Sequence, residues 1–224
     1  MNSAAPYQPA RQVIHEGAAS ERRLHDLGLS VDVLQGAVLD GDEGRQACTP
    51  FHPRQAGGQR MWSDTTAGLR ARCLRLDAGW SIDRTNNFET TANSGRGIAI
   101  AVMGGDEFTG YRGSREPRVK RKRGPVTRER VKVNFRGMEP LFRMDVGGPP
   151  SSEPEAWHTW LLLVRATEDW QYLELSEPIG LNDSGQVDEW SERILIPRLA
   201  ISGGVTPIAD DEDEDDIPFM VVEK

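Results

Sequence analysis

The 224-residue chain reads as an α+β domain, with N-terminal helices packed on a mostly antiparallel sheet and a disordered acidic C-terminal tail. Three observations predict this class. Apolar residues recur at helical spacing through the first third of the chain. Beyond Gly79 the pattern changes to short alternating or continuously apolar runs, the mark of strands. The end of the chain carries seven consecutive acids, residues 210–216, which repel one another and cannot collapse alone. Helices first and strands after argue for segregated elements rather than alternating βαβ units.

The elements follow in order. Residues 1–19 are small and polar with two prolines and read as a flexible arm. Leu24, Leu27, Val31, Leu34 and Val38 form an apolar stripe, interrupted at Gly28, so a helix is predicted at 20–27. A second should start at a Ser30 cap and run to about Leu39. Residues 41–58 hold Pro50, Pro53 and Gly57-Gly58 and read as loop. A third helix is expected over 59–74, with Met61, Trp62, Leu69 and Cys73 inward.

Strands are expected at 80–82 and 88–91, the latter turning through Asn93-Ser94-Gly95 into the apolar run 97–103, the best candidate for a buried central strand. Residues 126–135 alternate cleanly, with Arg128, Arg130, Lys132 and Asn134 on one side, and so predict a further strand. Residues 147–154 read as loop. Strands at 157–165, 171–177 and 194–196 close the body before Pro197. The division is thus an arm at 1–19, one α+β domain at 20–202 (helical part 20–76, sheet part 80–200) and a tail at 203–224. The six tryptophans, including Trp157 and Trp160, read mainly as core.

Composition narrows the function classes. The chain is 37% apolar and 28% charged, and no run approaches the ~20 apolar residues of a spanning helix, so no membrane role is expected. Two cysteines, Cys48 and Cys73, give no disulfide framework and point to a reducing, cytoplasmic location. Charge is distributed unevenly. Residues 112–136 carry eleven Lys and Arg against Glu116 and Glu129, in a chain whose net charge is −8. Screening over ~8–10 Å hides distant charge, so a basic patch attracts polyanions even on an acidic protein. Arg115, Arg118, Lys120, Arg121, Lys122, Arg123, Arg128, Arg130 and Lys132 are therefore the candidate contacts to nucleic-acid phosphates. Phe108, Tyr111 and Phe135 flank them as candidate stacking faces for unpaired bases, as in single-stranded DNA. The competing reading is a solvated edge strand blunted by cations.

Signals for catalysis are sparse. The four histidines and two cysteines show no metal-ligand spacing, and no cofactor is expected. Cys48 and His52 are close in sequence but lack a third orienting group. Asp106 and Glu107 follow the apolar run in a Gly-rich loop. They read either as a turn or, with Glu129 and Lys132, as the core of a metal-dependent nuclease. A non-enzymatic protein is the expectation.

The segment Asp213-Glu214-Asp215-Asp216-Ile217-Pro218-Phe219 resembles the C-terminal tip of bacterial single-stranded DNA-binding proteins, which ends in Asp-Asp-Ile-Pro-Phe after an acidic linker. The likeness is confined to residues 210–219. It implies that Asp215, Asp216, Ile217, Pro218 and Phe219 dock a genome-maintenance partner, the Pro-Phe pair entering an apolar pocket and the acids meeting a basic rim. In that family the phenylalanine carries the terminal carboxylate, whereas here Met220-Val221-Val222-Glu223-Lys224 follow. An acidic tail of another kind, or a strand over 217–222, is the alternative. Together these features predict a bacterial or phage nucleic-acid-associated binding protein. The alternatives are an interaction subunit without DNA contact, or the nuclease.

Overall fold

In a computed structural model of the protein the described residues are 12–76, 79–137 and 157–201. They form a seven-stranded mixed sheet with four α-helices, an α+β architecture. The strands are β1 (Val13–His15), β2 (Trp80–Asp83), β3 (Thr90–Asn93), β4 (Ile98–Gly104), β5 (His158–Ala166), β6 (Trp170–Leu181) and β7 (Val187–Ala200). Their spatial order is β1-β7-β6-β5-β4-β3-β2, with β1/β7 and β4/β5 parallel and the other pairs antiparallel. Residues 12–19, expected as arm, instead give the short edge strand β1 and the start of the first helix.

One face of the sheet carries α1 (Ala18–Asp26), α2 (Val31–Gln46) and α3 (Ala56–Cys73). Leu24, Leu34 and Leu69 pack there on Ile100, Leu162, Leu173 and Ile194, all essentially fully buried. Each such side chain contributes about 1.5–3 kcal/mol of burial. Ser30 caps α2, its hydroxyl accepting from the Val33 N–H at 3.3 Å. Cys73 closes α3 inside this core, and burial pushes its thiol up to about 12. Trp62, expected inward, is instead exposed.

The second helix outruns its expected end by seven residues, through Gly41 and Gly44. These glycines are an interface rather than a break. A side chain at Gly41 would meet the Met61 carbonyl oxygen at 2.6 Å, one at Gly44 would collide with Asp64, and one at Gly68 with Asp40. Close approach of α2 and α3 outweighs the helix cost of glycine, about 1 kcal/mol each.

The second face carries α4 (Pro125–Gly137), which replaces the strand expected over 126–135. Parallel strands need a crossover connection, and α4 supplies it between β4 and β5. Pro125 suits a first helical position, and Thr127, Val131 and Asn134 form a buried stripe at i, i+4, i+7. Asn134 therefore does not share a solvent face with Arg128. Its amide donates to the carbonyls of Thr159 and Pro178, both at 2.8 Å, and its Oδ1 accepts from Thr159 N–H at 2.8 Å. It thus satisfies strand groups at the sheet end that the β5/β6 ladder leaves open.

Register shifts around Pro178 and Gly180 interrupt the β6/β7 ladder. Its far end packs on this face, where Val187 and Trp190 join Ala101, Met103, Leu161 and Leu163. β7 also runs past its expected end, through Pro197. Pro197 falls at the register shift where Leu173 pairs with Ile196 and Gln171 with Leu199, an irregularity of the β6/β7 ladder of the kind that tolerates proline.

Candidate nucleic-acid interface

The basic segment is neither strand nor ribbon. It is a fixed loop followed by a helix. Where β4 ends, Gly105 bridges Val119 and donates to the Val164 carbonyl at 3.0 Å. Asp106 then makes a turn, its Oδ1 accepting from Phe108 N–H at 3.0 Å. Burial pushes the Asp106 carboxyl above its ordinary range, against backbone N–H contacts that favour its charge. This is the turn reading of the loop. Glu129, expected beside it in the nuclease reading, pairs with Lys132 at 2.8 Å on the exposed side of α4. Among the described residues no group of three His, Cys, Asp or Glu is placed to hold a metal ion. Cys48 donates to the Gly44 carbonyl, and His52 Nδ1 accepts from Thr49, so the two do not form a pair.

The loop is held down by a buried ion pair that the sequence did not single out. Arg193 on β7 is 1% exposed and Glu174 on β6 is fully buried. Arg193 donates to both Glu174 oxygens, at 3.0 and 2.6 Å, to Glu116 at 3.0 Å and to the Tyr111 carbonyl at 3.2 Å. Ser176 and the Gly110 N–H complete the Glu174 shell at 2.7 and 2.8 Å. Burial works against the Arg193 charge. The Glu174 and Glu116 carboxylates outweigh it and hold the guanidinium above its ordinary value. Such a centre is tolerable only because every polar atom is answered. The sequence hint was present: Glu174 stands between Leu173 and Leu175, and Arg193 directly precedes Ile194-Leu195-Ile196.

Downstream, Trp190 Nε1 donates to the Pro117 carbonyl at 2.9 Å, Val119 N–H to Val187 at 3.0 Å, Lys120 N–H to Gly104 at 2.9 Å and Arg123 N–H to Gly185 at 2.9 Å. Pro117 and Val119 point inward, and Lys120, Arg121 and Lys122 outward. Arg128 is exposed on α4, and Arg115 lies over the Phe108 ring at 5.0 Å. The remaining candidates have other attachments. Arg118 is 3.7 Å from Asp188, and Lys132 is paired with Glu129. Arg130 is tied to Asp83 on β2 at 3.1 Å and lies over Phe88. That makes it a helix-to-sheet strut. Asp83 is penalised by burial, but the bonds from Thr85 and the Arg130 charge hold its carboxyl below the ordinary range.

Two candidate stacking rings are engaged within the protein. Phe108 lies under Arg115, and Tyr111 meets Tyr172 edge-on at 6.3 Å while its hydroxyl donates to the Glu107 carbonyl. Phe135 is partly exposed on α4. Asp215, Asp216, Ile217, Pro218 and Phe219 lie outside the described residues, as does the loop expected at 147–154.

A second polar cluster joins β5, β6 and β7. His158 Nδ1 is 2.6 Å from Glu177 Oε1, and Ser191 donates to Glu177 Oε2 at 2.5 Å. The carboxylate separates the hydroxyl from the imidazole, so this is not a nucleophile with its base. Bonding to Glu177 raises the His158 imidazole above its ordinary value, against burial. No helix among the described residues is long and apolar enough to cross a membrane. Comparisons with protein-family models, with curated proteins and with solved structures each return no match, so function is argued from residues and geometry alone.

Proposed function

We propose that this protein is a non-enzymatic, nucleic-acid-associated binding protein of the bacterial or phage cytoplasm. Its loop at residues 120–123, with Arg115 and Arg128, meets the phosphate backbone. One observation carries the reading: the loop is pinned at both edges by backbone bonds, and among the described residues no carboxylate pairs with Arg121, Lys122 or Arg128. Outward cations on a fixed scaffold lose little entropy on binding. With Phe108 and Tyr111 engaged internally, recognition falls on phosphates rather than on stacked bases, and sequence independence follows. The tail, through Asp215 to Phe219, recruits a genome-maintenance partner.

The test is a salt titration of binding to a labelled oligonucleotide by fluorescence anisotropy. Affinity should fall steeply with salt. The triple variant Arg121→Ala, Lys122→Ala, Arg128→Ala should reduce the log–log slope by roughly 2–3. Salt-insensitive or absent binding would overturn the reading. It would favour instead an interaction subunit without DNA contact, for which the exposed Phe51 and Trp62 are the supporting features.

A further inference from the structure

Arg123 differs from every other cation of the loop. Its Nε is shut off from solvent yet has no hydrogen-bond partner. Its backbone N–H is committed to Gly185 at 2.9 Å, which fixes where the side chain starts. Among the described residues no carboxylate forms an ion pair with it. The charge it feels most is that of Arg121, of its own sign. Burial, joined by that repulsion, pushes the guanidinium below the ordinary arginine value. The first turn of α4, which begins two residues on, contains no acidic residue.

A guanidinium Nε withdrawn from water without an acceptor is costly, and folded proteins rarely leave one so, while Arg123 as a whole is half-buried and within reach of solvent. It is an arrangement completed by an anion. The guanidinium fork matches a tetrahedral oxyanion with two parallel hydrogen bonds.

We propose that Arg123, with Arg121 beside it, forms a discrete site for one phosphate group, supplied by the nucleic-acid backbone. The inference rests on the proposed binding reading and sharpens it. The other cations contribute diffuse attraction, while Arg123 grips one phosphate at a set position. Arg123 therefore destabilises the empty protein and repays that only when an anion is present.

The experiment is thermal melting of the full chain in chloride buffer, with and without inorganic pyrophosphate at constant ionic strength. The same proteins are then tested for oligonucleotide binding. Arg123→Met should melt roughly 2–4 °C above the unsubstituted protein without pyrophosphate. Pyrophosphate should raise the melting point of the unsubstituted protein by a similar amount and leave Arg123→Met unchanged. Arg123→Gln, neutral but polar, should also lose the pyrophosphate shift, which covers the case of a poorly folding methionine variant. Arg123→Met should bind the oligonucleotide about tenfold more weakly. A methionine variant that folds fully yet melts below the unsubstituted protein overturns the site. So do equal pyrophosphate shifts in all three proteins, the signature of an adventitious ion only. Oligonucleotide binding unaffected by Arg123→Met overturns this site and leaves the wider reading standing. A pyrophosphate shift that depends on Arg123, without any oligonucleotide binding, does the reverse.

Discussion

Arg193 and Arg123 are both drawn back from solvent around the same loop, yet their surroundings differ. Arg193 donates to Glu174, Glu116 and the Tyr111 carbonyl, and Glu174 in turn is bonded by Ser176 and Gly110. Arg123 has a committed backbone, a buried Nε without an acceptor and another arginine as the charge that bears on it. The answered guanidinium holds the loop to the sheet. The unanswered one is left over when all the scaffold bonds have been made, and that leftover valence is where a ligand is expected. Burial of charge therefore has two meanings here, separated by what the protein itself provides.

The largest test of this contrast is at the answered centre. Glu174→Gln leaves Arg193 buried with half its counter-charge and should cost about 3–5 kcal/mol, measured by denaturant unfolding. Limited proteolysis should then cut within 105–118. A cost below 1 kcal/mol would show that Arg193 is not held as described. An intermediate effect is expected from the acidic tail, whose carboxylates are the protein's own candidates to sit against the unanswered cations. Removing residues 203–224 should tighten oligonucleotide binding several-fold at low salt and have no effect at high salt. Unchanged low-salt affinity would exclude self-competition.

The smallest effect is expected at the answered histidine. Bonding to Glu177 raises His158, so its stabilising share is fully present below the ordinary value near 6.5 and is lost as pH rises through the higher folded-state value. Compared with His158→Gln, the unsubstituted protein should lose stability as pH climbs through that window. Parallel pH curves for the two would remove the pair as a contributor.

What the chain disclosed in advance was local. The runs that became β4 and β5 announced themselves by unbroken apolar residues, and Ser30 by its place ahead of an apolar stripe. What it withheld depends on partners far along the chain. Gly41 and Gly44 looked like breaks because their meaning lies in Met61 and Asp64, and residues 126–135 alternate in charge as a strand would. The parallel pairing of β4 with β5 demands a crossover, and the helix supplies it. At the interface, the cationic character of 120–123 was legible from composition. The commitments of Arg130 to Asp83 and of Arg118 to Asp188 were not, since those carboxylates lie on β2 and β7.

The clasp made by Asn134 has a consequence for the order of assembly. Its acceptors at Thr159 and Pro178 come 25 and 44 residues later. On a ribosome adding roughly 5–20 residues per second, α4 must wait some seconds for its seat to be made. Gly185, which fixes Arg123, comes later still. The cationic stretch thus waits for residues made tens of positions after it, and it emerges unanchored beside ribosomal RNA.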